Sequence, residues 1–427
     1  MPSAAATMAF RRIDPRLGLI LALYFGLGFL FAWQTPPWQA PDEPAHYNYV
    51  RHLAEGRGLP ELKPGDWNAP YLDFLKANRF PPGADISPIR YEFHQPPLYY
   101  LLLAPIYLAA GGSLPVLRLG SLAVGALAVV GVYLVGRRLF PAEPRAALGA
   151  AGVAAAIPQN LAVLASVNND ALAEAVASGL LAWGLVGLTE RRTWGWALTG
   201  GLLAGLGLLT KATVYPLVGL AVLLPLVPGP KAGGPGRLKA FALVAGLALL
   251  VGSWWFLRNA AVYGGLDVFG LGRHDQVVAG QPRTGPLSAR LLLEWSLTAF
   301  RSFWLQLGWM GVPAEDWVYG LLGAVTFLSL AGLVLLARDS GFARPAPAVV
   351  WLGLAAALVA AQFAAYNLQF YQPQGRYLFP ALAVWAVGLA AGFRRALAPE
   401  LRGWWVLPAL LAALSVWAVV RYIPFLR

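Results

Sequence analysis

Apolar runs of about 17–22 residues recur along this chain, and no other feature restricts its fold so strongly. A run of that length crosses the roughly 30 Å hydrocarbon core of a bilayer as a helix, which keeps its backbone hydrogen bonds within itself. The runs predict spans at about 17–33, 115–136, 146–165, 170–188, 195–210, 212–228, 240–258, 318–337, 346–366, 378–393 and 403–423. Two further pieces fit less well. "PPLYYLLLAPIYLAAGG" (96–112) is short and opens on two prolines, and "LLLEWSLTAFRSFWLQLGW" (291–309) carries Glu294, Arg301 and Gln306 at spacings that suit an interfacial helix. The expectation is an all-α polytopic membrane protein forming a single membrane domain over 1–427. It has about 11 transmembrane helices, or up to 13 if both pieces cross.

Charge decides the topology. Only 12% of residues are charged against 58% hydrophobic, about half the charge of an ordinary soluble domain. The net charge of +12 lies in short clusters between apolar runs, the pattern of membrane topology and not of a nucleic-acid partner. With the N-terminus cytoplasmic and neither doubtful piece crossing, the cytoplasmic segments collect Arg11, Arg12, Arg16, Arg137, Arg138, Arg145, Arg191, Arg192, Lys231, Arg237, Lys239, Arg338, Arg344, Arg394, Arg395 and Arg402. That is sixteen of the 32 Lys and Arg, against five acids there: Asp14, Glu143, Glu190, Asp339 and Glu400. The expected location is the plasma membrane. A first external loop covers 34–96 and a second large one, with its interfacial helix, covers 259–317. Cys is absent, which excludes disulfides, thiolate metal sites and a Cys nucleophile.

The same assignment places widely separated polar motifs on one external surface, where a single site can be assembled. "PDEPAHYNYVRHLAEGRG" (41–58) reads as an interfacial helix of about four turns, with Asp42 as a natural N-cap, Pro44 in the first turn and Gly56 and Gly58 as stops. Ala45, Tyr49 and Leu53 form its apolar stripe, so its polar face is expected toward water. "YEFHQPPLYY" (91–100) supplies His94 and Gln95, "SVNND" (166–170) supplies Asp170 and "GLLTKATVYP" (207–216) supplies Lys211. Arg258 lies in "WWFLRNAAVYGG", His274 in "GRHDQ", and Arg376 and Tyr377 in "QPQGRYLFPAL". Each has a bland alternative: helix capping for Asp42 and Asp170, snorkelling for Lys211, belt anchoring for Arg376 with Tyr377, and a solvated loop for His274.

One acid beside several cations suffices for transfer of a group from a lipid phosphate. A phosphate leaving group needs cations to take up its developing charge, and an attacking hydroxyl needs one carboxylate within hydrogen-bond reach. No G-x-S-x-G motif, P-loop or dinucleotide fingerprint is present, so a serine triad or a cytosolic nucleotide donor is not expected.

The order of these motifs resembles the GT-C membrane glycosyltransferases. "PDEPAHYNYVRHLAEGRGLP", "HQPPLYYLLLAPIY", "VLRLGSLAVGALAVVGVYLVGRRLF", "NNDALAEA", "LGLLTKAT", "WWFLRNAAVYGG" and "GRYLFPAL" follow one another as in the protein O-mannosyltransferase and aminoarabinose lipid A transferase branch. The resemblance implies a GT-C fold and a catalytic Asp at Asp42 beside Glu43, with later functional positions at Asp170, Arg376 and Tyr377. Where that family carries a base that touches the lipid phosphate, this chain has Gln95, preceded by His94; Ala45 and His46 stand where the aminoarabinose branch tends to have Arg.

The implied function is an inverting glycosyltransferase that moves a sugar from a polyprenyl-phosphate donor to an acceptor hydroxyl on lipid, glycan or protein at the external face. Asp42 would be the base. Arg376, Lys211, His94 and Arg258 would form the phosphate clamp, and Glu43 and Asp170 would orient the acceptor. His46 and His274 complete the candidate substrate residues. The sequence does not settle metal dependence; a divalent cation, if one is used, would fall to Asp42 and Asp170. A transporter or lipid flippase is the rival from another class, but the expected spans are nearly free of ionisable residues, with Arg118, Glu174 and Arg421 close to span ends. A scaffold would leave the one-sided clustering unexplained, and an oligosaccharide polymerase or ligase would use similar external groups.

Overall fold

The computed structural model describes residues 13–230, 234–341, 346–397 and 401–427. In chain order the helices are α1 (Leu17–Gln34), α2 (Glu43–Ala54), α3 (Ala69–Ala77), α4 (Leu98–Ala109), α5 (Leu114–Leu139), α6 (Pro144–Ala156), α7 (Pro158–Leu164), α8 (Asp170–Thr189) and α9 (Trp194–Leu208). There follow α10 (Tyr215–Leu223), α11 (Arg237–Tyr263), α12 (Leu271–Val277), α13 (Ala289–Trp304), α14 (Asp316–Asp339), α15 (Pro347–Gln369), α16 (Leu382–Ala396) and α17 (Val406–Arg421). A two-stranded antiparallel hairpin, β1 (Gln306–Leu307) and β2 (Val312–Pro313), joins α13 to α14.

Seven of the described helices are long and apolar enough to cross a membrane, counting Gly375–Ala396 as one, and an eighth forms if the bent pair α6–α7 is a single span. The bend of 66° falls where Ile157 is extended ahead of Pro158, since a proline disfavours the helical region for the residue before it. Eleven crossings require the shorter apolar helices α9, the Ala212–Leu226 segment and α17 to cross as well. The 96–112 piece becomes α4, only 12 residues long and with Pro105 inside it. The 291–309 piece becomes the 16-residue α13, whose Leu292, Leu293 and Leu297 are exposed, as an interfacial helix requires.

The core forms where α5, α6, α8 and α16 meet, with α8 almost wholly enclosed by its neighbours. Between helices in lipid the drive to associate is close packing, and small residues permit it. At the α14–α16 crossing, a Cβ on Gly332 would fall 1.8 Å from the Gly392 carbonyl oxygen, so the two backbones touch directly.

Charged residues gather at the two ends of the spans. At one end Arg394 pairs with Glu143 at 2.9 Å, Arg395 with Asp339 at 2.8 Å, and Arg138 with Glu190. At the other end lie Asp42, Asp170, Lys211 and Arg376, joined in ion pairs. Several helices run from one cluster to the other: Asp170 opens α8 and Glu190 follows its end, while Arg376 precedes α16 and Arg394 and Arg395 close it. The pairs at the first end join groups that the charge pattern assigns to one side. Arg11, Arg12, Lys231, Arg344 and Glu400 lie outside the described residues.

Helix α2 corrects one expectation. It does not lie on the surface with a wet polar face: Glu43, His46 and Asn48 are buried along with Ala45, Tyr49 and Val50, and the helix packs against α4. The buried polar groups have partners. Asn48 donates to the carbonyls of Ile86 and Ile89, and His46 Nδ1 meets the Tyr100 hydroxyl at 2.9 Å.

Candidate active site

Asp42 occupies the N-cap position of α2 but does not cap it. Its backbone is left-handed, with φ of 66°, and its side chain makes no capping bond. Asp tolerates this region better than most residues, yet the conformation is strained and persists only where surrounding contacts fix it. Those contacts are present. The Tyr91 hydroxyl donates to Oδ1 at 2.7 Å and Arg376 Nη2 donates to Oδ2 at 2.5 Å. Tyr91 stands on the short 3-10 turn Tyr91–His94, and Arg376 on the 3-10 helix Gly375–Ala381. Gly375 lets that helix sit directly on α13: a Cβ there would fall 2.2 Å from the Ala299 carbonyl, and its amide donates to Ser302 Oγ at 2.8 Å.

Glu43 turns the opposite way. Arg118 grips it in a fork, Nε to Oε1 at 2.7 Å and Nη2 to Oε2 at 2.6 Å, while the amides of Trp38 and Val167 also donate to it. The remaining Arg118 donors reach the carbonyls of Ala32, Thr35 and Pro36. With its acceptor positions filled and no exposed surface, Glu43 is held away from any ligand. The Asp-Glu pair thus divides its work: one residue faces the site and the other ties α2 to α5.

Two cavities, of about 300 and 390 Å³, meet at Asp42. Their shared wall is Asp42, Glu92, His274, Tyr366, Arg376 and Tyr377. The first continues past His94, Gln95 and Lys211 along an apolar wall that includes Tyr215, Phe269, Phe363 and Phe370. The second opens toward Trp67, Trp309 and several glutamines.

Electrostatics separates the titratable groups. Burial acts to raise the Asp42 carboxyl, but the Arg376 charge and the bonds from Tyr91 and Arg376 outweigh it and hold the group at about 2. Burial, and next the negative charge of Asp42, push Glu92 up to about 7. Burial lowers His46 to about 3 and His274 to about 4, and drives His94 well below its usual value with His274 adding to the effect. All three imidazoles are therefore neutral at pH 7. His94 Nδ1 lies 3.0 Å from the Tyr91 carbonyl, and its ring is 4.5 Å from that of His274.

Of the sequence candidates, Asp42, His94, Gln95, Lys211, His274, Arg376 and Tyr377 come together around the first cavity. Asp170 stands behind Lys211 and pairs with its Nζ at 2.5 Å, while Asn168 Oδ1, and not Asp170, accepts the helix-start amide. The capping reading of Asp170 is thus replaced by an ion pair, and Lys211 is buried rather than snorkelling. Arg258 is not brought in: it donates to the Pro60 carbonyl at 2.5 Å and covers Trp255 and Tyr263. His46 lies behind the site on Tyr100 and lines neither cavity. His94, being neutral, supplies no positive charge, so the cations on the first cavity wall are Lys211 and Arg376. Asp42 is paired with Arg376 and Asp170 with Lys211. Among the described residues no group of three or more His, Cys, Asp or Glu is placed to hold a metal. Sequence reasoning missed Glu92 and Tyr91, although both stand in the quoted "YEFHQPPLYY".

This fold, helical apart from one short hairpin and with its polar site at the helix ends, is similar to solved structures of a membrane enzyme, and part of the chain matches one family model. Residues 94–256 match the family model described as dolichyl-phosphate-mannose-protein mannosyltransferase. The chain is similar to ArnT from Cupriavidus metallidurans bound to undecaprenyl phosphate, at a TM-score of 0.58 and 18% identity over 95% of this chain and 65% of that one. For the apo state of the same enzyme the TM-score is 0.56 at 17% identity, covering 94% and 64%. An oligosaccharyltransferase from Archaeoglobus fulgidus, in complex with Zn and sulfate, has a TM-score of 0.49 and 15% identity over 93% and 53%. The chain thus spans about 65% of the length of the ArnT structures. No curated protein matches it.

Proposed function

We propose that this protein transfers a sugar from a polyprenyl-phosphate donor to an acceptor hydroxyl, with inversion at the anomeric carbon, at the external face of the membrane. One observation carries the reading: Asp42, held ionised by Arg376, lies where two cavities meet, paired to a cation on the wall of both. The first cavity joins two cations to an apolar wall, as a phosphate on a prenyl chain requires, and the ArnT neighbour is a complex with undecaprenyl phosphate. The second receives the acceptor.

Transfer then proceeds as one displacement. The acceptor oxygen forms a bond to the anomeric carbon while its proton passes to the Asp42 carboxylate. The carbon–oxygen bond to phosphate breaks, its electron pair staying on the phosphate, and Lys211 and Arg376 take up the added negative charge. Arg376 links the two halves. It neutralises Asp42 in the structure, and a phosphate in the first cavity competes for the same guanidinium, which frees Asp42 to accept the proton. Glu43 and Asp170 are positioning residues, the first through Arg118 and the second through Lys211.

The test is transfer from a defined polyprenyl-phosphate sugar by purified protein, wild type against Asp42→Asn. Loss of the base should lower the rate by at least about a hundredfold while donor binding persists. Full transfer by Asp42→Asn would show the base to be another group.

A further inference from the structure

The second cavity carries a more particular message, which rests on the glycosyl-transfer reading. We infer that it accepts an uncharged, hydroxyl-rich substrate, the end of a glycan or another polyol, in preference to an anionic headgroup or a peptide.

Two buried amide oxygens on its wall ask for hydrogen-bond donors. Gln306 Nε2 donates to the Met310 carbonyl at 2.8 Å and Gln281 Nε2 reaches the Tyr366 hydroxyl at 3.4 Å, which fixes each amide. Both Oε1 atoms are left buried with no partner in the protein. A buried acceptor without a donor is costly, and sugar hydroxyls supply donors. Gln372 and Gln374, joined at 3.0 Å, add further amide groups that can both give and accept.

The aromatic part of the wall is built to present rings and not polar edges. The Trp67 indole N–H donates to the Ala279 carbonyl at 3.0 Å and that of Trp309 to the Trp38 carbonyl at 2.9 Å. With their one polar group used, both side chains contribute only apolar atoms to the cavity wall, suited to the C–H groups of a pyranose. Trp309 is placed there at a backbone cost. It and Met310 follow Gly308 in left-handed conformation, with φ of 55° and 68°, a region bulky residues rarely adopt.

The charges argue the same way. Lys76, over the Trp309 ring at 5.6 Å, is paired with Asp73 at 2.6 Å, and Arg376 is paired with Asp42. His274 is neutral, and the ionised Asp42 on the shared wall would repel an anion. The cations of the described lining are Lys76, paired with Asp73, and Arg376, which the donor phosphate engages from the first cavity, so none is left for an anionic acceptor.

Equilibrium dialysis of the protein in nanodiscs, without donor, tests this directly. The probes are maltotriose, a phosphorylated glucosamine disaccharide and a Ser/Thr-containing octapeptide. Maltotriose should bind most tightly, and Gln281→Leu with Gln306→Leu should weaken it about tenfold. Thermal stability and undecaprenyl-phosphate affinity of the same variant report its folding. Tighter binding of the phosphorylated sugar or the peptide, binding of none of the three, or no effect of the double substitution would overturn the inference. The glycosyl-transfer reading is judged separately, by the donor assay with Asp42→Asn.

Discussion

Asp42 and Glu92 share a wall, and their surroundings drive their protonation apart. Arg376 keeps Asp42 ionised, while burial and the Asp42 charge hold Glu92 near 7. Such a split assigns different roles to two neighbouring acids. Below pH 7 Glu92 is neutral in the folded protein; above it, a second negative charge enters a cavity that must receive a phosphate. The Michaelis constant for donor should therefore rise as pH passes 7, and Glu92→Gln should flatten that dependence; a steady-state profile from pH 5.5 to 8.5 checks it. If the inflection persists in Glu92→Gln, another group titrates there. The stability consequence has a definite sign. The folded state holds this proton between about 4.5 and 7 while the unfolded chain has lost it, so this group's contribution falls as pH rises through that window. The sequence pointed to Asp42 through its neighbours, but Glu92 was indistinguishable from any surface acid. Only burial makes it notable.

At the level of elements, the decisive contact is α2 against α5. Sequence periodicity located α2 well, and Gly56 and Gly58 end it as expected. Its placement followed from something the pattern does not contain, an Arg118 about one turn into an apolar span that meets Glu43 across 75 residues. Removing one partner of a buried pair leaves an unpaired charge and costs about 3–5 kcal/mol. Arg118→Met and Glu43→Gln should each lower the melting temperature in detergent, and the double variant should lose less than the sum. Were Glu43 instead a chemical participant, Glu43→Gln would abolish transfer with the melting temperature unchanged. Helix α13 shows the same division. Its amphipathic character was legible in residues 291–309, but its use as the support for Arg376, through Ser302 and the close approach at Gly375, was not.

For the whole molecule, the proposed topology puts the Asp42 end outside. A cysteine is easily placed in a chain that has none. In whole cells Asn68→Cys should react with a membrane-impermeant maleimide, and Ser340→Cys, beyond α14 at the opposite end, should react only after permeabilisation. The reverse result would turn the protein over. The sequence by itself determined the membrane-spanning helical class, the sorting of charge to two ends and the motifs that could share a surface. Each of these rests on hydropathy and charge, which are additive along a chain. The tertiary structure alone decided which polar residues face one another. It joined Asp42 to Arg376 across 334 residues, sent Glu43 and Arg258 elsewhere and opened two cavities that meet at Asp42. Pairing of that kind depends on burial and on directional hydrogen bonds between distant segments, which residue order along the chain does not specify.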